Sequence, residues 1–172
     1  LLAETAQGLL RHATPEPDVE DLIDAAERAG QYLLSRGITS CMDAAVGMVN
    51  GMKEIRAYHL AKTSGRLPVR VWQVLLGDPQ RSIVQDCHDA GLVSGAGDDM
   101  LRVGAVKIFL DGSTGGKTAW TRQPYLGEEK TCGVQILLDE ELDELVQKYV
   151  GQGYQMACHA IGDRAIEQLI ES

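Results

Sequence analysis

The sequence has no apolar run of the roughly 18 residues that a membrane-spanning helix needs, and no secretory leader pattern. It also has no basic block. Its 16 Lys and Arg face 25 Asp and Glu, for a net charge of −9. That balance argues against a nucleic-acid-binding surface and for a soluble protein. Four cysteines (Cys41, Cys87, Cys132, Cys158) stand far apart and form no CxxC pair. They read as reduced thiols rather than a disulfide framework or a zinc ribbon, so a cytoplasmic location is expected. With 44% hydrophobic residues in 172, the chain can bury a real core and is not a disordered polymer.

Helical and strand patterns then alternate. The chain opens with a helical pattern over 1–12 that has no start signal. After the Pro15/Pro17 break, Asp18 can cap a helix reaching about Arg36, with Leu22, Ala25, Ala26, Ala29, Leu33 and Leu34 as its apolar stripe. A short strand is predicted over 38–43, a helix over 52–63 and a strand over 69–76. A third helix is expected from Pro79 to about Ala90. The strand beginning at Val103 follows, then a long connection, a helix over 139–150, a strand over 154–160 and a helix from Gly162. This alternation means a parallel sheet with right-handed crossovers. Four strands are about half of an eight-stranded barrel, which typically needs about 250 residues. The expected architecture is therefore α/β: about four units of a (β/α)8 barrel, the middle segment of a larger enzyme. The rival is a complete small doubly wound domain.

The stretch 103–118, VGAVKIFLDGSTGGKT, concentrates the chemistry. A lysine inside an apolar strand is costly unless its charge is paired or removed. Strict alternation puts Val103, Ala105, Lys107, Phe109 and Asp111 on one face, and Gly104, Val106, Ile108 and Leu110 on the other. Asp111 then stands where the strand meets its loop, the end at which parallel α/β folds place function. The glycine-rich run is not a P-loop: the position that must be glycine is Asp111, and Pro124 soon interrupts any following helix. Gly95-Ala96-Gly97 is not a dinucleotide fingerprint, since it precedes a strand and has Met100 at the third glycine position.

His159, in CHAIGDRAI, ends the last expected strand. Imidazole is a standard zinc ligand, and a lysine carboxylated by carbon dioxide presents an anionic oxygen pair that can bridge two metals. Lys107 and His159 are thus candidate metal ligands. A hydrogen-bonded strand-end histidine is the plainer alternative. Asp163 and Arg164 are candidates for an outer role against a helix-start acid or a surface ion pair. Asp111 and Ser113 are candidates against simple loop capping. Trp120 and Tyr125 sit in a loop that could cover a substrate, or pack locally. Asp43 reads as a turn initiator, and His12, His59 and His88 as helix residues without a partner at metal spacing.

VKIFLDGSTGGKTAWTRQPY and HAIGDRAI together resemble the YtcJ-like, amidohydrolase-3 branch of the amidohydrolase superfamily, which includes N-substituted formamide deformylases. GITSCMDA and RLPVRVWQVLL resemble its second and third barrel strands. The resemblance covers nearly the whole chain. It departs at 114–117, where Thr-Gly-Gly-Lys stands in place of a leucine-glycine-serine-arginine type of run. The resemblance implies a metal-dependent (β/α)8 hydrolase acting on a carbon–nitrogen bond of a small amide-like substrate. It implies one or two divalent ions, zinc by preference, with Lys107 as the carboxylated ligand and His159 as the fifth-strand ligand. It further implies a first-strand HxH pair, a sixth-strand histidine and an eighth-strand aspartate, none of them within this sequence.

Two other classes fit the residues. A desolvated strand lysine also suits Schiff-base aldol chemistry. A barrel that lost its ligands would be a binding or regulatory protein. The apolar edges of a half-barrel favour self-association into a homo-oligomer.

Overall fold

The Asp18 carboxylate accepts the Asp21 N–H while the Asp21 carboxylate accepts the Asp18 N–H, a reciprocal cap that starts helix α1 (Val19–Ser35). The geometry is that of a computed structural model, which describes residues 15–128 and 130–172. The helix expected over 1–12, with His12, lies outside the described residues. After α1 come β1 (Ser40–Val46), α2 (Met52–Thr63), β2 (Arg70–Leu76), α3 (Val84–Asp89), β3 (Leu101–Phe109), α4 (Asp139–Gly151), β4 (Gln155–His159) and α5 (Asp163–Glu171). The strands form one four-stranded sheet in the order β1-β2-β3-β4, and β2 runs parallel to both β1 and β3. Among the described residues no helix is long and apolar enough to cross a membrane.

The elements depart from expectation in places with local causes. The first strand starts at Ser40 rather than Ile38 because the Ile38 N–H closes the end of α1 on the Leu33 carbonyl, with Gly37 at φ +77°. The third helix begins at Val84, not Pro79. Asp78 gathers a turn instead, taking the Gln80 N–H on its carboxylate and the Arg81 N–H on its carbonyl. The larger correction concerns β3. Gln73 pairs with Val103 but Val74 with Ala105, so Gly104 is an extra residue in the strand. A one-residue insertion switches the sides of everything beyond it. Val103 therefore leaves the face shared by Ala105, Lys107 and Phe109, whereas Val106, Ile108 and Leu110 are buried as expected. Gly104 also admits the Trp72 indole, since a Cβ there would lie 1.5 Å from its Nε1.

The described residues fall into two compact units. One comprises Glu16–Lys107 and Tyr149–Ala157, the other Ile108–Lys148 and Cys158–Ser172. In the first, Ile23, Ala57, Ala61, Leu67, Val69, Val71 and Leu101 form a buried cluster that the α1 stripe helps cover through Leu22 and Leu33. Gly30 lets α1 approach Pro68, whose Cγ would lie 2.5 Å from an added Cβ. Tyr149 and Tyr154 donate their hydroxyls to the carbonyls of Gly77 (3.0 Å) and Leu92 (2.9 Å). In the second, Ile108, Leu110, Ala119, Leu137, Leu142 and Ala165 are buried. There the Gln168 amide donates to the Leu137 carbonyl and the Asp139 carboxylate, both at 2.8 Å.

Candidate functional site

In the second unit, the Leu110 N–H donates to the His159 carbonyl at 2.9 Å, which sets the chain leaving β3 beside the end of β4. His159 is partly buried. Its Nε2 is 2.8 Å from the Gly112 carbonyl oxygen, and its ring centroid is 5.5 Å from that of Phe109. Beside it lies Asp111, whose side chain is fully buried, with Oδ1 3.7 Å from His159 Nε2. A buried carboxylate is costly unless its oxygens are met. Three backbone amides meet this one: Trp120 (2.9 Å), Ile161 (3.0 and 3.2 Å) and Gly162 (2.6 Å). Asp111 thus fastens the long loop after β3 to the turn after β4.

The start of α5 completes the fastening. Its Arg164 N–H donates to the Trp120 carbonyl at 3.2 Å, and the Arg164 guanidinium lies 5.1 Å from the centroid of the Trp120 ring. Asp163 accepts the Arg122 N–H at 2.9 Å, and the Arg122 guanidinium pairs with Glu167, which raises its pKa. Gly162 has no room for a side chain, because a Cβ would lie 1.8 Å from the Trp120 carbonyl oxygen. Ser113 serves the loop itself, its hydroxyl accepting the Gly116 N–H at 3.1 Å and its carbonyl the Thr118 N–H at 3.0 Å. Tyr125 donates to the Ala119 carbonyl at 2.7 Å, the local packing that was the plainer alternative.

The structure therefore gathers His159, Asp111, Trp120, Asp163 and Arg164 in one unit, with Ser113 and Tyr125 in the loop. Lys107 belongs to the other unit. It is half-buried near the end of β3, opposite Leu76 in the register, and its carbonyl accepts the Gly77 N–H at 2.8 Å. Among the described residues no group of three or more His, Cys, Asp or Glu is arranged to hold a metal ion.

Some polar positions escaped the sequence reading. Arg122 had no pattern to mark it. Asp43, read as a turn initiator, does accept the Ala45 N–H at 3.4 Å, but it also accepts the Tyr58 hydroxyl at 2.8 Å. Burial and that carboxylate push the Tyr58 phenol pKa up. Gln73 is fully buried, with neither amide atom hydrogen-bonded among the described residues. A glutamine inside VRVWQVLL was as conspicuous as the lysine in β3 and could have been singled out on the same ground.

The parallel sheet interleaved with helices is similar to that of two solved metal-dependent hydrolases. The chain superposes on an uncharacterized metal-dependent hydrolase from Pyrococcus furiosus with a TM-score of 0.80 at 26% identity, covering 96% of this chain and 33% of that one. A second, from Pyrococcus horikoshii OT3, gives a TM-score of 0.77 at 27% identity, covering 96% and 32%. The chain belongs to the amidohydrolase family, whose model matches residues 1–172. It is 30% identical to the putative amidohydrolase YtcJ of Bacillus subtilis, over 100% of this chain and 31% of that protein. It is 26% identical to the protein LONG AFTER FAR-RED 3 of Arabidopsis thaliana, over 99% of this chain and 30% of that protein. The chain thus spans about a third of the length of these relatives.

Proposed function

We propose that this chain is the central part of a metal-dependent (β/α)8 amidohydrolase that cleaves a carbon–nitrogen bond in a small amide-like substrate. Lys107, in its carboxylated form, and His159 are each proposed as ligands to a divalent ion, zinc by preference. The observation that carries the reading is the setting of His159. One ring nitrogen faces the Gly112 carbonyl, and the other has no hydrogen bond among the described residues, as a ligand requires. The family match over the whole chain supports the hydrolase class. Among the described residues no group of three or more His, Cys, Asp or Glu is arranged to hold a metal ion, and further ligands are proposed to lie outside this sequence.

Within this scheme His159 supplies a neutral nitrogen from a strand end held by Leu110 and Gly112. Carboxylated Lys107 supplies anionic oxygens from β3. The bound ion supplies Lewis acidity and lowers the pKa of a coordinated water towards about 7. Trp120 and Arg164 form a fixed aromatic and cationic surface against which a substrate can be oriented. The general acid–base work falls to an aspartate outside this chain.

The test is metal analysis of the full-length parent protein with His159→Asn and Lys107→Ala, alongside mass spectrometry of Lys107. Each substitution is expected to lower metal affinity by more than the roughly 10–100-fold typical of losing an outer-shell partner. Lys107 is expected to carry the added mass of one carbon dioxide, and the 172-residue chain alone is expected to show no turnover. Unchanged metal content in both variants would overturn the reading. A borohydride-trapped substrate adduct on Lys107 would assign it to Schiff-base chemistry instead.

A further inference from the structure

We infer that Asp111 is a positioning residue that fixes the tautomer of His159, placing the proton on Nε2 and leaving the lone pair on Nδ1. A carbonyl oxygen only accepts, so the 2.8 Å contact between Nε2 and the Gly112 oxygen requires the hydrogen on Nε2. Asp111 controls both partners in that contact. Gly112 follows it directly in the chain, and the amides it binds, Ile161 and Gly162, stand two and three residues beyond His159.

Its charge acts in the same sense. Oδ1 of the buried Asp111 lies 3.7 Å from Nε2 of the partly buried ring, so the carboxylate favours the positive end of an N–H dipole at that nitrogen over a lone pair. The arrangement has little slack. A Cβ on Gly162 would meet the Trp120 carbonyl at 1.8 Å, and one on Gly112 would meet Thr118 Oγ1 at 2.1 Å. Gly112 is thus packed against the Thr118 side chain and Gly162 against the Trp120 backbone. Trp120 N–H on Oδ2 closes the third side, so Asp111 cannot turn away without stranding a buried amide. The tautomer is a property of the metal-free chain, and only its consequence for metal affinity rests on the ligand reading proposed above.

The experiment is a long-range proton–nitrogen correlation spectrum of the metal-free, full-length chain labelled with 15N at histidine. It is recorded at a pH where the ring is neutral, and His159→Asn assigns the signals. Wild type is expected to show the Nε2–H form. Asp111→Asn removes the charge and offers an NH2 group to amides that need an acceptor, so His159 is expected to become a tautomer mixture. Zinc affinity is expected to fall by about 10–100-fold. Asp111→Glu, which keeps the charge and both oxygens, is expected to retain the Nε2–H signal. An Nδ1–H ring in wild type would overturn the inference without any variant, as would an unchanged tautomer in folded Asp111→Asn. If that variant does not fold, wild type and Asp111→Glu decide together: Nε2–H in both supports the inference, and its loss in Asp111→Glu overturns it. Zinc that leaves the His159 signals unmoved while the tautomer behaves as expected would remove the ligand reading and leave the positioning role standing.

Discussion

At Gly162 a hydrogen atom is all the structure admits. The position is extended (φ −70°, ψ 148°), a conformation any residue adopts, so the demand is for space rather than backbone freedom. Gly162→Ala would push its methyl into the Trp120 backbone at 1.8 Å, and backbone fastened to Asp111 and Arg164 cannot yield. We expect a loss of about 1–3 kcal/mol, the usual cost of overpacking, measurable by urea unfolding. A melt equal to wild type would mean the loop moves more freely than its hydrogen bonds imply. At this scale the sequence was partly legible. Polar residues at strand ends drew attention to Asp111 and His159, because buried polar groups must be explained. The partners of Asp111 were not legible, since three of its contacts are to backbone amides that carry no side-chain signature.

Helix α1 shows what local chemistry announces. Asp18, Glu20 and Asp21 signal a helix start, and the reciprocal cap forms as expected. Asp18→Ala is predicted to cost about 0.5–2 kcal/mol, read as a lower denaturation midpoint with unchanged slope. Helix α3 shows what such signs conceal. Pro79 fits a helix start, but Asp78 captures the following turn and the helix waits until Val84. The β3 bulge was hidden for a different reason. Alternation read from one strand cannot reveal an extra residue that exists only relative to its neighbour. Gly104 inside the apolar run was the available hint, since a strand glycine often marks a bulge or a close approach; here it marks both.

Across the whole molecule, regular alternation of helix and strand was enough to give a parallel sheet, because crossovers leave few other arrangements. Stability of the whole responds to acid through groups such as Asp98. Lys62 and the N–H groups of Met100 and Leu101 hold its pKa down at about 2, against an ordinary 3.8. A depressed carboxylate contributes stability above its unfolded value and loses it as pH falls through the folded value. Asp98→Asn is therefore expected to lower stability at neutral pH and to flatten the acid limb between pH 3.8 and about 2. A parallel downward shift of the whole profile would mean its charge is not what matters.

The loop after β3 separates what holds it from what it displays. Its fastenings lie at Asp111, Trp120 and Arg122, and at Gly133, where a Cβ would lie 2.0 Å from the Ala119 carbonyl oxygen. Residues 114–117 fall between these points, with open space around Gly115. Among the described residues they are held only by the Ser113 hydroxyl on the Gly116 N–H, the turn bond from Lys117 N–H to the Thr114 carbonyl and an exposed Lys117–Glu128 ion pair. That makes the run an exchangeable cassette. Replacing it with Leu-Gly-Ser-Arg, which keeps a base at position 117, should leave unfolding energy within about 0.5 kcal/mol, so what the loop displays can be exchanged without touching what holds it.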